Sequence, residues 1–320
     1  MLRTLTYHRI LDRAAGAAVN PSLVSAGPAE FDRQMQHLAR NYRVVSAEEV
    51  VAAIRSDRAL PGRAVLVTFD DAYRDFADTA WPIMRKYGLP ATVFVSSDYP
   101  DHPERSYWWD RLYHAFSRAR ASSVSAGNLG LLRLDSLEAR MGSLRLVQER
   151  VKQLPHADAL RLVDDVCRAL ESDFESVATV LTWQELRSLA AAGVTIGGHT
   201  RSHAALDRLP IQGVHEEVRG CRADVARELG TPPCVFAYPF GSHNDTVVEA
   251  VRQAGFELAF TCLDGHSHLN AADPLRLRRT NITPRTSALI FRLRLLRIGS
   301  YIDVWRNSRN QDRRYDAIPA

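Results

Sequence analysis

Two adjacent carboxylates, Asp70 and Asp71, stand at the end of the run Ala64-Val-Leu-Val-Thr-Phe69. That run is apolar and β-branched, the composition of a strand buried on both faces. If the strand is parallel and a helix follows it, both acids arrive at the C-terminal rim of a sheet, where α/β folds assemble their sites. The same residues also suit a plainer role, with Asp71 as a helix N-cap and Asp70 as a solvated turn residue. A second group lies further along, in Gly198-His199-Thr200-Arg201-Ser202-His203. Two histidines four apart on one helical turn would put both imidazoles on one side, a spacing suited to two ligands of one cation. Gly197 and Gly198 ahead of them would let a ligand approach the backbone. Joined to Asp71, they make a two-His, one-carboxylate set with open positions, able to polarise a carbonyl and to lower the pKa of bound water. The third group is Phe236-Ala-Tyr-Pro-Phe-Gly241. Pro239 fixes its own φ and Gly241 permits a turn, so the Phe240 N–H could point inward as an oxyanion donor; by itself the segment equally suits an ordinary aromatic turn.

The elements that must position these groups alternate along the chain. Strands are expected at Leu2 to Tyr7 (ending on His8), Tyr42 to Val45, Ala64 to Phe69 and Ala91 to Val95. Helices fall between them at Pro28 to Asn41, from the capping box Ser46–Glu49 to Arg55, and at Asp75 to Tyr87 with an interruption at Pro82. A second set follows Thr182: helix to Ala192, strand Val194 to Gly197, helix Gly213 to Leu229, strand Cys234 to Tyr238, helix Asp245 to Ala254 and strand Glu257 to Cys262. Seven or eight parallel strands with helical crossovers favour a closed barrel over an open sheet. Between about 100 and 180 the rhythm gives way to charged helical pieces (Trp108 to Ala119, Leu137 to Leu154, Ala157 to Leu170) around a small-residue loop at Ala121 to Gly130, the pattern of a helical insertion on the rim. Trp108 and Trp109 could line a sugar-binding surface or anchor the insertion's core. The division is thus a barrel over 1–285, interrupted at about 100–180, and a basic, apolar tail over 286–320. That tail could pack outside the barrel as a helix or lie on an anionic membrane surface.

With 320 residues, 46% of them apolar, the chain can bury a sizeable core. Its net charge of +4 gives no argument for a nucleic-acid partner, and Lys86 and Lys152 are the only lysines among 41 basic residues, a skew that reflects genome composition. Cys167, Cys221, Cys234 and Cys262 have no CxxC spacing, so neither a thiolate zinc site nor a disulfide framework is indicated, and all four are expected to be buried thiols. The start MLRTLTYHRI has no signal-peptide pattern and no run approaches a membrane span, so a cytoplasmic setting is the expectation.

In their order, Thr68-Phe-Asp-Asp71, His199-Thr-Arg-Ser-His203 and Tyr238-Pro-Phe-Gly241 resemble the first three motifs of polysaccharide deacetylases of the NodB-homology type, a carbohydrate esterase family 4-like group. The flanking YHRI, WWDRL, LTWQEL, AAGVTIGGHT and DPLRLRR segments resemble the branch found in bacterial surface-polysaccharide biosynthesis. The resemblance implies a distorted (β/α) barrel, of seven to eight strands here, and hydrolysis of an acetyl group, most often N-acetyl, on a carbohydrate substrate. It implies a divalent metal, usually zinc, held by Asp71, His199 and His203, with Asp70 as general base, Phe240 as oxyanion donor, and Tyr238, Pro239 and Trp109 as candidates to line the substrate. Two departures stand out. Ala237 occupies the place of the family's base-orienting arginine, and Leu275-Arg-Leu-Arg-Arg279 lacks the histidine of the late Leu-x-His motif that serves as general acid. His8 is the first substitute for that acid, with His266 or His268 behind it. These gaps keep two other readings open: a glycan-binding protein without turnover, and an amidohydrolase acting on a lipid-linked sugar or a nonsugar amide.

Overall fold

The computed structural model describes residues 1–12, 19–171 and 179–296. Eight parallel strands form one curled sheet: β1 Arg3–Tyr7, β2 Arg43–Val44, β3 Ala64–Phe69, β4 Thr92–Val95, β5 Thr195–Gly198, β6 Val235–Ala237, β7 Leu258–Phe260 and β8 Thr280–Asn281. Their order is β7-β6-β5-β4-β3-β1-β8, with β2 also pairing β3. The segment from Leu277 to Asn281 touches both edges, since Leu277 bridges Phe260 of β7 while Thr280 pairs Leu5 of β1. The sheet therefore curls into the barrel that the alternating pattern implied.

Helices α1 Pro28–Asn41, α2 Ala47–Arg55 and α3 Trp81–Lys86 cover the first half, and α4 Trp108–Arg118, α5 Leu137–Gln153 and α6 His156–Ala169 make the insertion. Helices α7 Trp183–Ala191, α8 Ile211–Leu229, α9 Asp245–Gln253 and α10 Ala288–Leu295 cover the second half. Both anticipated capping boxes form: Ser46 with Glu49 at the start of α2, and Thr182 with Glu185 at the start of α7.

Local features differ from expectation in three places. Ahead of Pro82 the chain makes a π-type turn, Phe76–Ala80, that runs straight into α3, so the proline, which cannot donate to the ladder, follows a widened turn and does not end the helix. The loop expected at Ala121 to Gly130 contains half of an antiparallel hairpin, Ser123–Ser125 with Leu131–Arg133, because Gly127 and Gly130 supply the positive φ of its turn. Of the four thiols Cys221 is buried, Cys167 and Cys234 are half-buried, and Cys262 is exposed. The insertion has its own core, in which Leu112, Phe116, Leu144, Val147 and Val163 pack together under Trp108 and Trp109. Of the tail, α10 lies on α1 with the Phe291 ring edge-on to His37 and with Leu295 buried in the core, and residues 297–320 lie outside the described part. Among the described residues, no helix is long and apolar enough to cross a membrane.

Candidate metal and catalytic centre

Strand register brings the chemistry together. In the β1–β3 pair Tyr7 lies opposite Phe69, so the chain leaves the sheet at His8 and at Asp70 on the same rim, and the Asp70 N–H donates to the Tyr7 carbonyl. Strand β5 ends beside β4, with the His199 N–H donating to the Val95 carbonyl, and β6 pairs with β5 at Phe236 and Gly198. All the motif residues thus project from C-terminal strand ends.

Asp71, His199 and His203 offer ligand atoms within 4.8 Å of one another, all buried. Asp71 Oδ1 lies 3.2 Å from His203 Nε2 and 3.6 Å from His199 Nε2, yet no hydrogen bond satisfies it. A buried carboxylate oxygen facing two imidazole nitrogens without a hydrogen bond is the donor set of a cation site, and the residues fit a divalent metal. His199 Nδ1 donates to the Ala237 carbonyl at 2.7 Å, which turns Nε2 toward Asp71 as a lone-pair donor. Burial, reinforced by the neighbouring His203, lowers the His199 pKa to about 4, so this ring is neutral near pH 7.

The HxxxH spacing does not lie on a helical turn. Thr200 and His203 both have positive φ, and the segment is a tight loop that folds back on itself. Glu217 of α8 holds that loop, its carboxylate accepting from the Arg201 and Ser202 N–H groups and the Ser202 hydroxyl. Nor do Gly197 and Gly198 clear a path for a ligand. A Cβ on Gly197 would meet the Phe94 ring at 2.6 Å, and one on Gly198 would come 3.1 Å from Phe256, so both glycines serve close packing of the sheet. Asp71 is no N-cap either: it and Ala72 have positive φ, the Tyr107 hydroxyl donates to the Asp71 carbonyl, and the first helical turn begins only at Phe76. Such outliers at Asp71, Ala72, Thr200, His203 and Phe240 gather on the loops of one rim, as strained backbone does at functional sites.

Asp70 is fixed by a residue that none of the three motifs contains. Arg279 forms a bidentate pair with it, at 2.7 and 2.8 Å, with both side chains buried, and Arg279 Nε donates to the Thr261 carbonyl. Burial pushes the Asp70 pKa up, but the charge and hydrogen bonds of Arg279, with the charges of His199 and His8, together outweigh it and hold the carboxyl at about 2. The place left open by Ala237 is thus filled from the Leu275–Arg279 segment. His8 contributes to the field at both Asp70 and Asp71 from the same rim, and its own N–H donates to Ser25 Oγ. His266 points elsewhere, with Nε2 on the Arg294 carbonyl of the α10 side.

A cleft of about 430 Å³ opens from His203 toward the insertion, lined among others by Trp108, Leu154, His156, Arg208 and Phe240. Phe240 is exposed there, with its ring 4.7 Å from that of His203. The other expected lining residues do not line it. Tyr238 is fully buried with its hydroxyl donating to the Leu275 carbonyl, and Pro239 is buried beside it. Trp109 packs edge-on against His203 and donates from Nε1 to the Tyr73 hydroxyl, which donates to Asp110. Alternation along a strand end sends Tyr238 away from the rim, and the helical position of Trp109 turns it inward while Trp108 faces the cleft. Burial raises the Asp110 pKa to about 6, against the opposing pull of Arg9.

The chain has relatives among known proteins. The family model described as polysaccharide deacetylase matches residues 57–259. The chain is 19% identical to YxkH of Bacillus subtilis (strain 168) over 275 residues, covering 86% of this chain and 69% of that one. It is 23% identical over 278 residues to the poly-β-1,6-N-acetyl-D-glucosamine N-deacetylase of Escherichia coli (strain K12), covering 85% of this chain but only 35% of that longer protein. Among solved structures, the Streptococcus pyogenes deacetylase PplD in complex with acetate superposes with a TM-score of 0.63 at 21% identity, covering 92% of this chain and 98% of that one. A model match across more than half the sequence, carrying the paired aspartates and both histidines, places the chain in the polysaccharide deacetylase family.

Proposed function

We propose that this family member is a metal-dependent N-deacetylase of a carbohydrate polymer in bacterial polysaccharide biosynthesis or modification, with Asp71, His199 and His203 holding a divalent cation, zinc by donor type. The observation that carries this reading is Asp71 Oδ1, buried without a hydrogen bond between two imidazole nitrogens and next to a second, separately held carboxylate. When bound, the cation supplies Lewis-acid polarisation of the acetyl carbonyl and a lowered pKa for water. The protein's own groups do the rest. Asp70, kept ionised by Arg279, takes the proton of the attacking water. The Phe240 N–H serves as donor to the developing oxyanion, and His8 returns a proton to the departing amine. Trp108 and Phe240 give the cleft aromatic faces suited to a pyranose ring.

Arg279 removes half of the motive for a non-catalytic reading, because the base is oriented after all. The test is acetate release by zinc-loaded protein from β-1,6-linked N-acetylglucosamine oligomers, run beside O-acetylated oligomers. Acetate from the first set is the expected result. Release from the second alone would change the bond cleaved from amide to ester, and release from neither would leave a binding protein.

A further inference from the structure

Helix α10 carries two apolar faces. Phe291 and Leu295 are buried against the barrel and α1. With successive residues about 100° apart, Leu289, Ile290 and Leu293, together with Leu296 at the helix end, fall on the opposite side. There they are 67%, 40%, 48% and 47% exposed. Four of the nine exposed large apolar side chains among the described residues thus sit on one short element. Such a cluster marks an interaction surface rather than chance exposure.

Charge decides what the surface suits. Arg292 and Arg294 border the exposed apolar stripe on its two sides, Arg285 precedes the helix, and no acidic residue occurs from Arg285 to Leu296. Beside the C-terminal end of α10 lies a groove of about 740 Å³, lined by Arg3, His37, Tyr42, Arg63, Arg292 and Leu296 among others, with no carboxylate in its lining. The sequence beyond Leu296 continues the bias, with five arginines against three aspartates over 297–320. Apolar side chains flanked by arginines, next to a cationic groove, match the headgroup and acyl boundary of an anionic bilayer. A protein partner would need matching acids at its rim; a lipid surface needs only its anionic headgroups.

We propose that the outer face of α10 and the adjoining arginine groove dock the protein on an anionic membrane surface. Arg3 lies at the N-terminal end of β1, whereas His8 and Asp70 lie at the C-terminal ends of the strands. The docked protein therefore holds its cleft on the far side of the barrel from the lipid, open to substrate. This is independent of which bond the centre cleaves.

The test is co-sedimentation of the full chain with vesicles of phosphatidylcholine alone and of phosphatidylcholine mixed with phosphatidylglycerol. The full chain is expected to bind the mixed vesicles, to ignore the neutral ones, and to release as salt rises. L289S/L293S and R285E/R292E, each checked for an unchanged melting temperature, are expected to bind the mixed vesicles about tenfold or more weakly. All four substituted side chains are exposed, so either pair suffices if the other fails to fold. Equal binding to both vesicle types, no binding, or binding that survives both pairs overturns the proposal. A wild-type dimer that L289S/L293S makes monomeric would also overturn it, since a second copy would then cover the face. Displacement by inorganic phosphate at constant ionic strength would assign the groove to a free anion and overturn it too.

Discussion

Asp70→Asn is expected to lower deacetylation by about two to four powers of ten while leaving the affinity for a divalent cation within a few-fold of the wild type. The asymmetry follows from the geometry. Asp70 is engaged by Arg279 through both oxygens, and the ligand atoms that converge come from Asp71, His199 and His203. A carboxamide at position 70 keeps the size of the side chain and one acceptor oxygen, but it cannot accept a proton near neutral pH. The readout is kcat for acetate release beside a metal titration of the same preparation. A variant that keeps more than about a tenth of wild-type turnover would remove Asp70 from the proton-transfer role.

Replacing its partner should be costly in a different way. Arg279→Ala leaves a buried carboxylate without its counter-charge, and breaking a buried pair from one side costs about 3–5 kcal/mol. The sign of its pH dependence follows from Asp70. Its folded-state pKa of about 2 lies below the ordinary carboxylate value of 3.8, so the pair contributes stability that is fully present above 3.8 and is lost as the pH falls toward 2. In the variant, burial acts on Asp70 unopposed by Arg279. The stability gap to the wild type, read by urea unfolding, is therefore widest near pH 7 and narrows as the medium is acidified through the carboxylate range. Arg279→Lys restores charge but not the two parallel hydrogen bonds, and should recover part of the stability with little of the turnover. A gap that stays constant from pH 7 to below pH 4 would mean that the pair is not what holds Asp70 ionised.

Arg279 also shows where the sequence pattern was under-read. Leu275, in the 3-10 turn Pro274–Arg276, and then Leu277 and Arg279 in the chain that leaves it are buried, while Arg276 and Arg278 are partly exposed. That period of two is present in the sequence, and it turns one arginine into the barrel. A missing histidine in the same five residues masks it. The strand-end aspartates and the order of the three motifs were legible because a buried apolar run that stops at two adjacent acids rarely serves packing alone. The histidine spacing was legible as a pair but not as a conformation, since a tight loop pinned by Glu217 from a distant helix brings the two rings together as well as a helical turn would. Nothing local encodes that contact. Motif membership does not tell which way Tyr238 and Pro239 face, since the Tyr238 hydroxyl is drawn to the Leu275 carbonyl, and the pair Trp108-Trp109 does not tell which ring faces the cleft, since the packing of the insertion puts Trp108 on it and Trp109 against His203.

The convergence of one aspartate and two histidines on a single ion is tested most directly by calorimetric titration of zinc into chelator-stripped protein, comparing the wild type with Asp70→Asn and Asp71→Asn. One site per chain in the first two, and its loss in the third, is the predicted pattern. Equal binding by all three, or loss in Asp70→Asn with retention in Asp71→Asn, would contradict it.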